Sequence, residues 1–502
     1  MALQKAVLLL SVILCFAVVL VPEVGVAAED GTIYIKADGT VGGTDKIQRV
    51  GDVYTFTGNI EGSISVERNS IIIDGAGYKL QPEDDITGVD IRERNNVTVK
   101  NLTIEGFSGR CGVLLIDVVQ CTIIQNTITS NLNGIEMTGT SSLNRIVENR
   151  LQNNSVGMEI YSIDPGSGNI ISENTVTNNY VGIQVRNFLN TNVSGNIFTS
   201  NGWGLGLGLG SGSVARNNVM NDNTYGFRSY NAPATNVDVD TSNTVNGKPI
   251  IYWVDQHNKA VPAGACYVAL IACSNITVEN LDLTGNLEGI FLGSTTNSTI
   301  IGNRISGNMN GIRFDASCNN TVSGNTITGN ENGVNLLGDS LNNTIIRNDI
   351  TANNGTGIYL AESESTLITG NNIINNRRGV YTEYCGVNVF HHNNFINNTQ
   401  QFYDIAFTPW PIPLEFSVNV WDDGTRGNYW STYIGDDNDG DGIGNTPYIL
   451  DEHNQDNYPL VAPVDISLIP EFPFWVVLPL FLVASLVAVF YRKRLCAQLR
   501  RF

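Results

Sequence analysis

The chain has 502 residues, a formal net charge of −20, only 15% charged residues and 51 glycines. A nucleic-acid-binding protein would show basic patches, so this dilute acidic balance argues against a nucleic-acid partner. The charge is also too sparse for a disordered acidic tail, whereas abundant Gly, Asn and Thr are typical of a rod of short β-strands.

Residues 1–28 have the pattern of a secretory signal peptide. Lys5 supplies a positive charge, Ala6 to Leu20 is apolar, and Val26-Ala27-Ala28 offers small residues for cleavage. Residues 29–68 lack the repeat that follows. We expect them to form strands that cap the N-terminal end of the core, because a solenoid needs polar caps for solubility.

Between residues 69 and 400 an asparagine recurs every 21 to 25 residues. Each unit holds three short apolar alternations of period two, separated by Asn and Gly corners, and no unit shows a helical stripe. Three strands and three corners in about 22 residues predict an all-β right-handed parallel β-helix. The asparagines of this ladder are Asn101, Asn126, Asn149, Asn174, Asn196 and Asn217, then Asn280, Asn303, Asn325, Asn348, Asn371 and Asn393.

The ladder has a structural interpretation. An inward Asn at each corner passes side-chain hydrogen bonds between coils that lie about 4.8 Å apart. The glycines that open the third strand of each unit, such as Gly134 and Gly311, are also assigned to the scaffold. An insert at about 232–262, with the bulkier NGKPIIYWVDQHN, interrupts the repeats and predicts a protruding loop or hairpin.

Positions two and four after each strand-opening glycine are expected to point outward and to line one sheet face. Tyrosine rings could stack on sugars there, while charged groups would bind hydroxyls or uronates. The candidate ligand-binding residues are Tyr161, Arg186, Arg228, Tyr230, Arg313, Tyr359 and Tyr381.

The same face supplies carboxylates, at Glu136, Glu159, Asp315 and Glu383. Acids on neighbouring coils could act as glycosidase acid and base, which need a separation of about 5–9 Å. Two functions are therefore considered for this face. We favour non-catalytic carbohydrate binding or adhesion; the alternative is a polysaccharide lyase, hydrolase or epimerase.

Residues 401–465 are aromatic, proline-bearing and acidic, and are predicted to form a C-terminal cap. Asp437, Asp439 and Asp441, followed by Gly442, have the spacing of positions 1, 3, 5 and 6 of a calcium loop. Position 12 would be Tyr448, so Asp451 or Asp436 is expected to supply the substitute carboxylate. A structural Ca²⁺ in the cap is expected.

The chain has four histidines, and only His391 and His392 form a possible ligand cluster. Copper needs soft or imidazole ligands. Adjacent strand residues point to opposite faces, so both side chains are not expected to bind one metal, and copper binding is not predicted. Convergence of either histidine with another imidazole or with a sulfur would favour it.

The C-terminal end predicts a membrane anchor. Residues 471–491 are apolar over about one bilayer span, and the basic tail, residues 492–502, is expected to stay in the cytoplasm. The β-helix would then be extracellular and held at the cell surface. The layout also resembles the C-terminal sorting signals of archaeal surface proteins, although Pro470-Glu471-Phe472 replaces their usual Pro-Gly-Phe.

Three motifs outside the repeats carry a family resemblance: NGKPIIYW in the insert, CSNITVENL where the repeats restart, and GNYW…DGDGIGNTPY…NYPL in the tail. Together they resemble the NosD-like family of right-handed β-helix proteins, named after a periplasmic, copper-binding maturation factor. The resemblance covers nearly all of residues 31 to 463. It implies the β-helix fold and adds a third candidate function, that of a metal accessory protein.

Overall fold

The computed structural model describes residues 31–83, 87–164, 166–230, 237–405 and 417–469. The predicted signal peptide, membrane span and basic tail lie outside the described residues. Within the described residues the chain is a right-handed parallel β-solenoid of about 16 coils. Its one helix there is the 3₁₀ turn Ile466–Leu468, so no described helix is long and apolar enough to cross a membrane.

Each coil contributes one strand to each of three columns of parallel strands, each column being called a sheet here. At the insert every column is interrupted, so that it forms one hydrogen-bonded sheet before the insert and another after it. In one coil these strands are Thr299–Ile301, Arg304–Ser306 and Asn310–Asp315. The middle residue of the short strands points inward, as expected for a strand with one buried face. Ile300, Ile305 and Ile312 are thereby fully buried in the core of the cylinder.

The long-strand sheet contains the longest strand of each coil and carries the predicted ligand-binding face. Its strands, in chain order, are Thr32–Ile35, Val41–Gly42, Ser63–Val66, Val89–Asp90, Cys111–Ile116, Asn133–Thr138, Val156–Tyr161, Val181–Arg186, Trp203–Gly208, Tyr225–Ser229, Lys248–Val254, Tyr267–Ile271, Glu288–Gly293, Asn310–Asp315, Asn332–Leu337, Thr356–Ala361, Arg378–Glu383 and Gln400–Ile405.

The second sheet follows the long strand around its corner. Its strands are Ile47–Val50, Val53–Phe56, Ile72–Asp74, Thr98–Lys100, Thr122–Ile124, Arg145–Val147, Ile170–Ser172, Asn192–Ser194, Val214–Arg216, Asp238–Val239, His257–Ala260, Ser274–Glu279, Thr299–Ile301, Thr321–Ser323, Thr344–Ile346, Leu367–Thr369 and Val389–His391.

The third sheet completes each coil. Its strands are Ile60–Glu61, Lys79–Gln81, Thr103–Glu105, Thr127–Thr129, Arg150–Gln152, Thr175–Thr177, Ile197–Thr199, Val219–Asn221, Thr244–Val245, Asp282–Thr284, Arg304–Ser306, Thr326–Thr328, Asp349–Thr351, Asn372–Ile374, Asn394–Ile396 and Tyr429–Trp430. A separate hairpin pairs Tyr448–Ile449 with Gln455–Asp456.

The Asn ladder lies at the corner between the second and third sheets. Asn348 Nδ2 donates to Asn371 Oδ1 at 3.0 Å, and Asn348 Oδ1 accepts from both the backbone N and the side-chain Nδ2 of Asn325 at 2.9 Å. Side chain and backbone of each coil are thus tied to the next, which satisfies polar groups that the corner buries. The structural interpretation of the ladder is confirmed.

Three predicted ladder positions are wrong by one residue. Asn101, Asn217 and Asn280 have a left-handed backbone, with φ of 54° each, at the outside of the corner. The ladder position is the next residue: the backbone N of Leu102, Asn218 and Leu281 donates to the ladder asparagine of the following coil. Where two asparagines are adjacent, as at Asn217 and Asn218, only the fold decides which side chain turns inward.

The ladder also extends beyond Asn393, where the sequence repeat stops. Asn393 donates to Asn428 Oδ1 at 2.9 Å, and the Asn428 backbone N donates to Asp456 Oδ2 at 2.7 Å. A second ladder occupies the corner between the third and long-strand sheets. Its members are Asn131, Asn154, Asn179, Asn201 and Asn223, then Asn286, Asn308, Asn330, Asn353, Asn376 and Asn398.

The strand-opening glycines are required by the spacing between coils. A Cβ atom on Gly311 would lie 2.5 Å from the carbonyl oxygen of Gly333, and one on Gly134 would lie 2.4 Å from that of Gly157. These distances are far below contact distance, so the column admits glycine alone. The assignment of these glycines to the scaffold is confirmed.

The insert is less irregular than the sequence suggested. Asn246 and Gly247, with φ of 48° and 76°, turn the chain between Thr244–Val245 and the antiparallel strand Lys248–Val254. This is the two-residue hairpin that Asn-Gly favours. Lys248–Val254 then pairs in parallel with Tyr267–Ile271, so part of the insert belongs to the stack instead of protruding from it.

Aromatic side chains close the C-terminal end of the cylinder. Trp421 stacks on Phe390 with ring centroids 4.2 Å apart, and Trp430 stacks on Phe395 at 4.2 Å. Trp430 Nε1 also donates to Asp456 Oδ2 at 2.8 Å. Burial raises the pKa of Asp456 to about 6 despite these hydrogen bonds. The cap therefore covers the last coil with rings and continues its polar ladder.

The six cysteines of the described residues are free thiols. Cys111, Cys121, Cys266 and Cys273 are buried, and burial raises the pKa of each. Neither the pair Cys111 and Cys121 nor the pair Cys266 and Cys273 is joined. The cysteines act here as small core residues.

Candidate functional site

The structure places the predicted ligand-binding residues on the outer surface of the long-strand sheet, here called the long face. Parallel register aligns Glu136 with Glu159, and Tyr161 with Arg186. In the later coils it aligns Arg313 with Asn335. This register follows from the constant repeat, which is why the sequence could assign the outward positions.

An arginine–tyrosine cluster occupies the middle of the long face. The guanidinium of Arg186 lies 5.4 Å from the ring centroid of Tyr230, and that of Arg228 lies 4.5 Å from the same ring. Arg186 also lies 5.8 Å from the Tyr161 ring, and its Nη2 donates to Glu159 Oε1 at 2.7 Å. Cation–π contacts fix the two guanidiniums side by side at the surface.

Two glycines make room for this cluster. A Cβ atom on Gly206 or on Gly208 would lie 2.8 Å from atoms of Tyr230, so the Tyr230 ring lies in a trough in the strand Trp203–Gly208. In the run GLGLGLG, the sequence assigned a role only to Gly204, as a strand-opening glycine of the scaffold. The signal for the trough was the alternation of glycine with leucine, which places glycines on the outer side of the strand.

Glu288 is a buried acid that sequence reasoning missed. It lies where the repeats resume after the insert, and its side chain is 1% exposed. Its Oε1 is 3.6 Å from Arg313 Nη1 and 4.0 Å from Arg228 Nε, beyond hydrogen-bond distance, and neither carboxylate oxygen has a hydrogen-bond partner among the described residues. Burial, opposed by the two arginines, raises the pKa of Glu288 to about 7.

We expect Glu288→Gln to gain stability relative to the parent chain as pH rises. A raised folded-state pKa stabilises the fold below the unfolded pKa near 4.5, and this contribution is lost as pH rises to about 7. Since the glutamine side chain does not ionise, the free energy of unfolding of the variant minus that of the parent should increase by about 2–3 kcal/mol from pH 5 to a pH above 7. Urea unfolding from pH 5 to 8 measures this difference. The exposed Glu364→Gln serves as control, and a difference that falls with pH contradicts the assignment.

A tyrosine cluster occupies the C-terminal part of the long face. Tyr359 and Tyr381 stack with ring centroids 4.7 Å apart, and Arg378 lies 5.3 Å from the Tyr381 ring and 4.8 Å from the Tyr403 ring. Tyr359 Oη donates to Glu383 Oε2 at 2.6 Å. Burial and the Glu383 carboxylate raise the pKa of Tyr359. The ring faces of Tyr359 and Tyr381 thus contact each other, and their edges and hydroxyls are what a ligand would meet.

Each acid named as a catalytic candidate has a partner. Glu159 bonds to Arg186, Glu383 to Tyr359, and Asp315 Oδ2 lies 3.2 Å from Arg313 Nη2. Glu136 is 4.0 Å from Arg110 Nη2. The three hydrogen bonds hold the carboxylates of Glu159, Glu383 and Asp315 in place, whereas Glu136 and Arg110 are too far apart to share one.

In the cap, Asp437, Asp439 and Asp441 place one carboxylate oxygen each within 4.8 Å of one another. Asp437 accepts from the backbone N of Gly440 and of Gly442, and these bonds outweigh its slight desolvation and lower its pKa. The predicted fourth carboxylate, Asp451, is not part of this group. Its oxygens accept from Asn454 and His453 in a separate turn.

The expectation that His391 and His392 diverge is wrong. Their Nδ1 atoms lie 2.7 Å apart, and Asp423 Oδ2 lies 4.0 Å from His392 Nδ1. His391 ends its strand, and His392 has a left-handed backbone with φ of 57°. The alternation of a strand therefore stops between them, and both rings turn to the same side. Burial lowers the pKa of His391 to about 4 and also lowers that of His392.

Two family models match the chain in adjacent segments. Residues 241–435 match the family described as periplasmic copper-binding protein (NosD), and residues 87–244 match the right-handed beta helix region. No curated protein gives a significant match to the sequence.

Solved structures of other β-helices resemble the chain distantly. The periplasmic alginate epimerase AlgG is 14% identical over 77% of this chain and 83% of its own, with a TM-score of 0.26. The A-module of the Azotobacter vinelandii mannuronan C-5 epimerase AlgE6 is 12% identical over 72% and 90%, with a TM-score of 0.24. The catalytic domain of a GH87 α-1,3-glucanase is 17% identical over 62% and 54%, with a TM-score of 0.27. Such low scores carry no argument about what this chain binds.

Proposed function

We propose that this chain, a member of the NosD-like family of right-handed β-helix proteins, is a non-catalytic module that binds polysaccharide along its long face. The observation that carries the proposal is the pair of guanidiniums, Arg186 and Arg228, that both contact the ring of Tyr230. Their side chains are 37% and 23% exposed. Planar guanidinium donors suit the hydroxyl and carboxylate groups of sugars.

The arrangement favours an extended ligand. The arginine–tyrosine cluster lies on the long strands before the insert and the tyrosine cluster on those after it, on coils far apart along the chain. A polymer that runs across successive coils would contact both clusters, whereas a monosaccharide would contact one. Tyr161, Tyr230, Tyr359 and Tyr381 contribute hydroxyls and ring edges, and Arg313 continues the line between the clusters.

The proposed location is the cell surface. The NosD family description is periplasmic, and the ends of the sequence have the patterns of an export signal and of a span at 471–491. In this proposal the β-helix lies outside the membrane and the basic tail lies inside. A structural Ca²⁺ at Asp437, Asp439 and Asp441 would stiffen the cap, which adjoins the last coils of the long face.

The test is binding of the full-length chain to a glycan array that includes neutral and uronate-containing polymers, with and without Ca²⁺. For the glycan that binds, we expect Arg186→Ala to weaken binding at least ten-fold, or about 1.4 kcal/mol. The glycan affinity of Arg186→Lys should lie between those of the parent chain and Arg186→Ala, because lysine keeps the charge and loses the planar donors.

Arg304→Ala is the matched control. Arg304 is an exposed arginine on the third sheet, with a 66% exposed side chain, and its loss should leave glycan binding unchanged. The proposal fails if no glycan binds above background, or if Arg186→Ala binds as tightly as the parent chain.

Catalysis on a polysaccharide is the second candidate, because Glu136, Glu159 and Asp315 each lie beside an arginine on the long face. Such pairs can hold a substrate carboxylate next to an acid. We rank it second because Glu159 and Asp315 are already hydrogen-bonded to their arginines. Incubation with the bound glycan, followed by assays for new reducing ends and unsaturated uronates, separates the two. Turnover of the glycan by the parent chain, abolished by Glu159→Gln, would show that the chain is an enzyme.

A further inference from the structure

The corner at His391 and His392 gathers donor atoms in a way that neither histidine produces alone. Phe390 points inward and is fully buried, so His391 points outward at the end of its strand. The left-handed backbone of His392 then rotates its ring outward as well. The next residue, Asn393, returns to the interior ladder. Two imidazoles consequently share one site at the surface of the second sheet.

The C-terminal cap delivers a carboxylate to this site. Backbone hydrogen bonds from Phe390 N to Val420 O at 2.8 Å and from His392 N to Gly427 O at 2.7 Å dock the cap segment along the corner. Trp421 stacks on Phe390 beneath it. The loop between these anchors carries Asp423 over the two rings.

Only one oxygen of Asp423 is used by its own loop. Oδ1 accepts from Thr425 N at 2.8 Å, Thr425 Oγ1 at 2.6 Å and Arg426 N at 2.8 Å. These bonds fix the carboxylate and leave Oδ2 directed at the histidines. Oδ2 accepts no hydrogen bond from the described residues, and the Asp423 side chain is 8% exposed. Asp423 thus presents one carboxylate oxygen, on a largely buried side chain, to the same side as the two imidazoles.

The donor atoms of His391, His392 and Asp423 lie within 4.8 Å of one another. Around a tetrahedral ion with bonds of about 2.0–2.1 Å, donors lie about 3.3 Å apart. The 2.7 Å and 4.0 Å separations lie on either side of that value, so the His392 ring would move away from His391 and toward Asp423 on binding an ion. Thr369 Oγ1 also lies 3.1 Å from His391 Nδ1, and an ion bound at Nδ1 would displace this contact.

We propose that His391, His392 and Asp423 bind one divalent transition-metal ion, with solvent at the remaining position. Two imidazoles and a carboxylate form a donor set suited to Zn²⁺ and its first-row neighbours; a hard ion such as Ca²⁺ would take oxygen ligands instead. The His392 side chain is 21% exposed, so an ion can enter from solvent. The ion would join the last regular coil to the cap.

The site is tested by titrating the full-length chain with Zn²⁺, and with Co²⁺, whose visible absorption reports coordination. We expect one ion per chain at micromolar affinity or tighter, with an absorption intensity typical of four-coordinate Co²⁺. His391→Gln and Asp423→Asn should each weaken Zn²⁺ binding at least ten-fold. Zn²⁺ should also raise the unfolding temperature of the parent chain, because it binds only the folded state.

Two controls separate this site from others on the chain. His257→Gln removes a half-exposed histidine that also lies beside an aspartate, Asp255, and should leave Zn²⁺ affinity unchanged. Asp437→Asn alters the acidic loop and should also have no effect. If Asp423→Asn does not fold, His391→Gln and His392→Gln still decide the question. Absence of stoichiometric binding, or binding that survives both histidine variants, overturns the proposal. Neither result depends on glycan binding.

Discussion

Trp430→Ala is expected to lower the free energy of unfolding by about 3–5 kcal/mol, the range for removing a large buried aromatic side chain. Trp430 lies between the rings of Phe395 and Tyr448, at centroid distances of 4.2 Å and 4.8 Å. The substitution opens the end of the cylinder and removes the Nε1 donor from the buried Asp456 carboxylate. Urea unfolding followed by circular dichroism measures the loss.

The position of the effect is as informative as its size. Each coil contacts mainly its neighbours, so hydrogen exchange should accelerate first in the coils near residues 390–400 and leave the N-terminal coils protected. Trp430→Phe keeps a stacked ring and loses the donor and part of the ring volume, so its effect should be smaller than that of Trp430→Ala. Trp253→Ala, at a half-buried tryptophan outside the cap, is the control and should not accelerate exchange selectively near residues 390–400. Equal acceleration along the whole rod would contradict a capping role.

Asn348→Ala is expected to lower the free energy of unfolding by about 2–4 kcal/mol, because it leaves buried polar groups without partners. Asn348 Oδ1 accepts from Asn325 N, and Asn348 Nδ2 donates to Val322 O at 3.0 Å and to Ile346 O at 3.0 Å. Removing the amide breaks the ladder midway along its run from Asn303 to Asn393. The same urea and hydrogen-exchange measurements apply.

An exposed corner asparagine gives the matched comparison. Asn319 has a left-handed backbone with φ of 58° and lies outside the ladder. Asn319→Gly keeps the backbone conformation accessible, and its effect on stability should stay within about 0.5 kcal/mol. Equal losses for Asn348→Ala and Asn319→Gly would show that burial in the ladder contributes nothing.

Regular repeats made most of the fold predictable from the sequence. A constant period implies a constant register between coils, so outward positions such as Glu159, Arg186 and Tyr381 could be assigned to one face without coordinates. The glycine column and most ladder positions follow from the same periodicity. Errors arose at neighbouring polar residues, as at Asn217 and Asn218, where both have the same chemistry and only one turns inward.

Features at the interruptions were not predictable in this way. Glu288 meets Arg228 across the insert, and no period relates their positions. Asp423 reaches His392 because the cap folds back along the corner, which the repeat does not describe. Alternation along a strand predicted that His391 and His392 diverge, but one left-handed residue reverses that relation.

The sequence by itself determined the solenoid, its three-strand coil, its outward face and the position of its cap, because each is a consequence of local periodicity. Tertiary structure alone decided which side chains meet where that periodicity fails. Those meetings are the trough under Tyr230, the buried Glu288 and the site of His391, His392 and Asp423. The physical reason is that stacked coils inherit their register from the repeat, whereas the insert and the cap take theirs from packing and hydrogen bonds between segments distant in the chain.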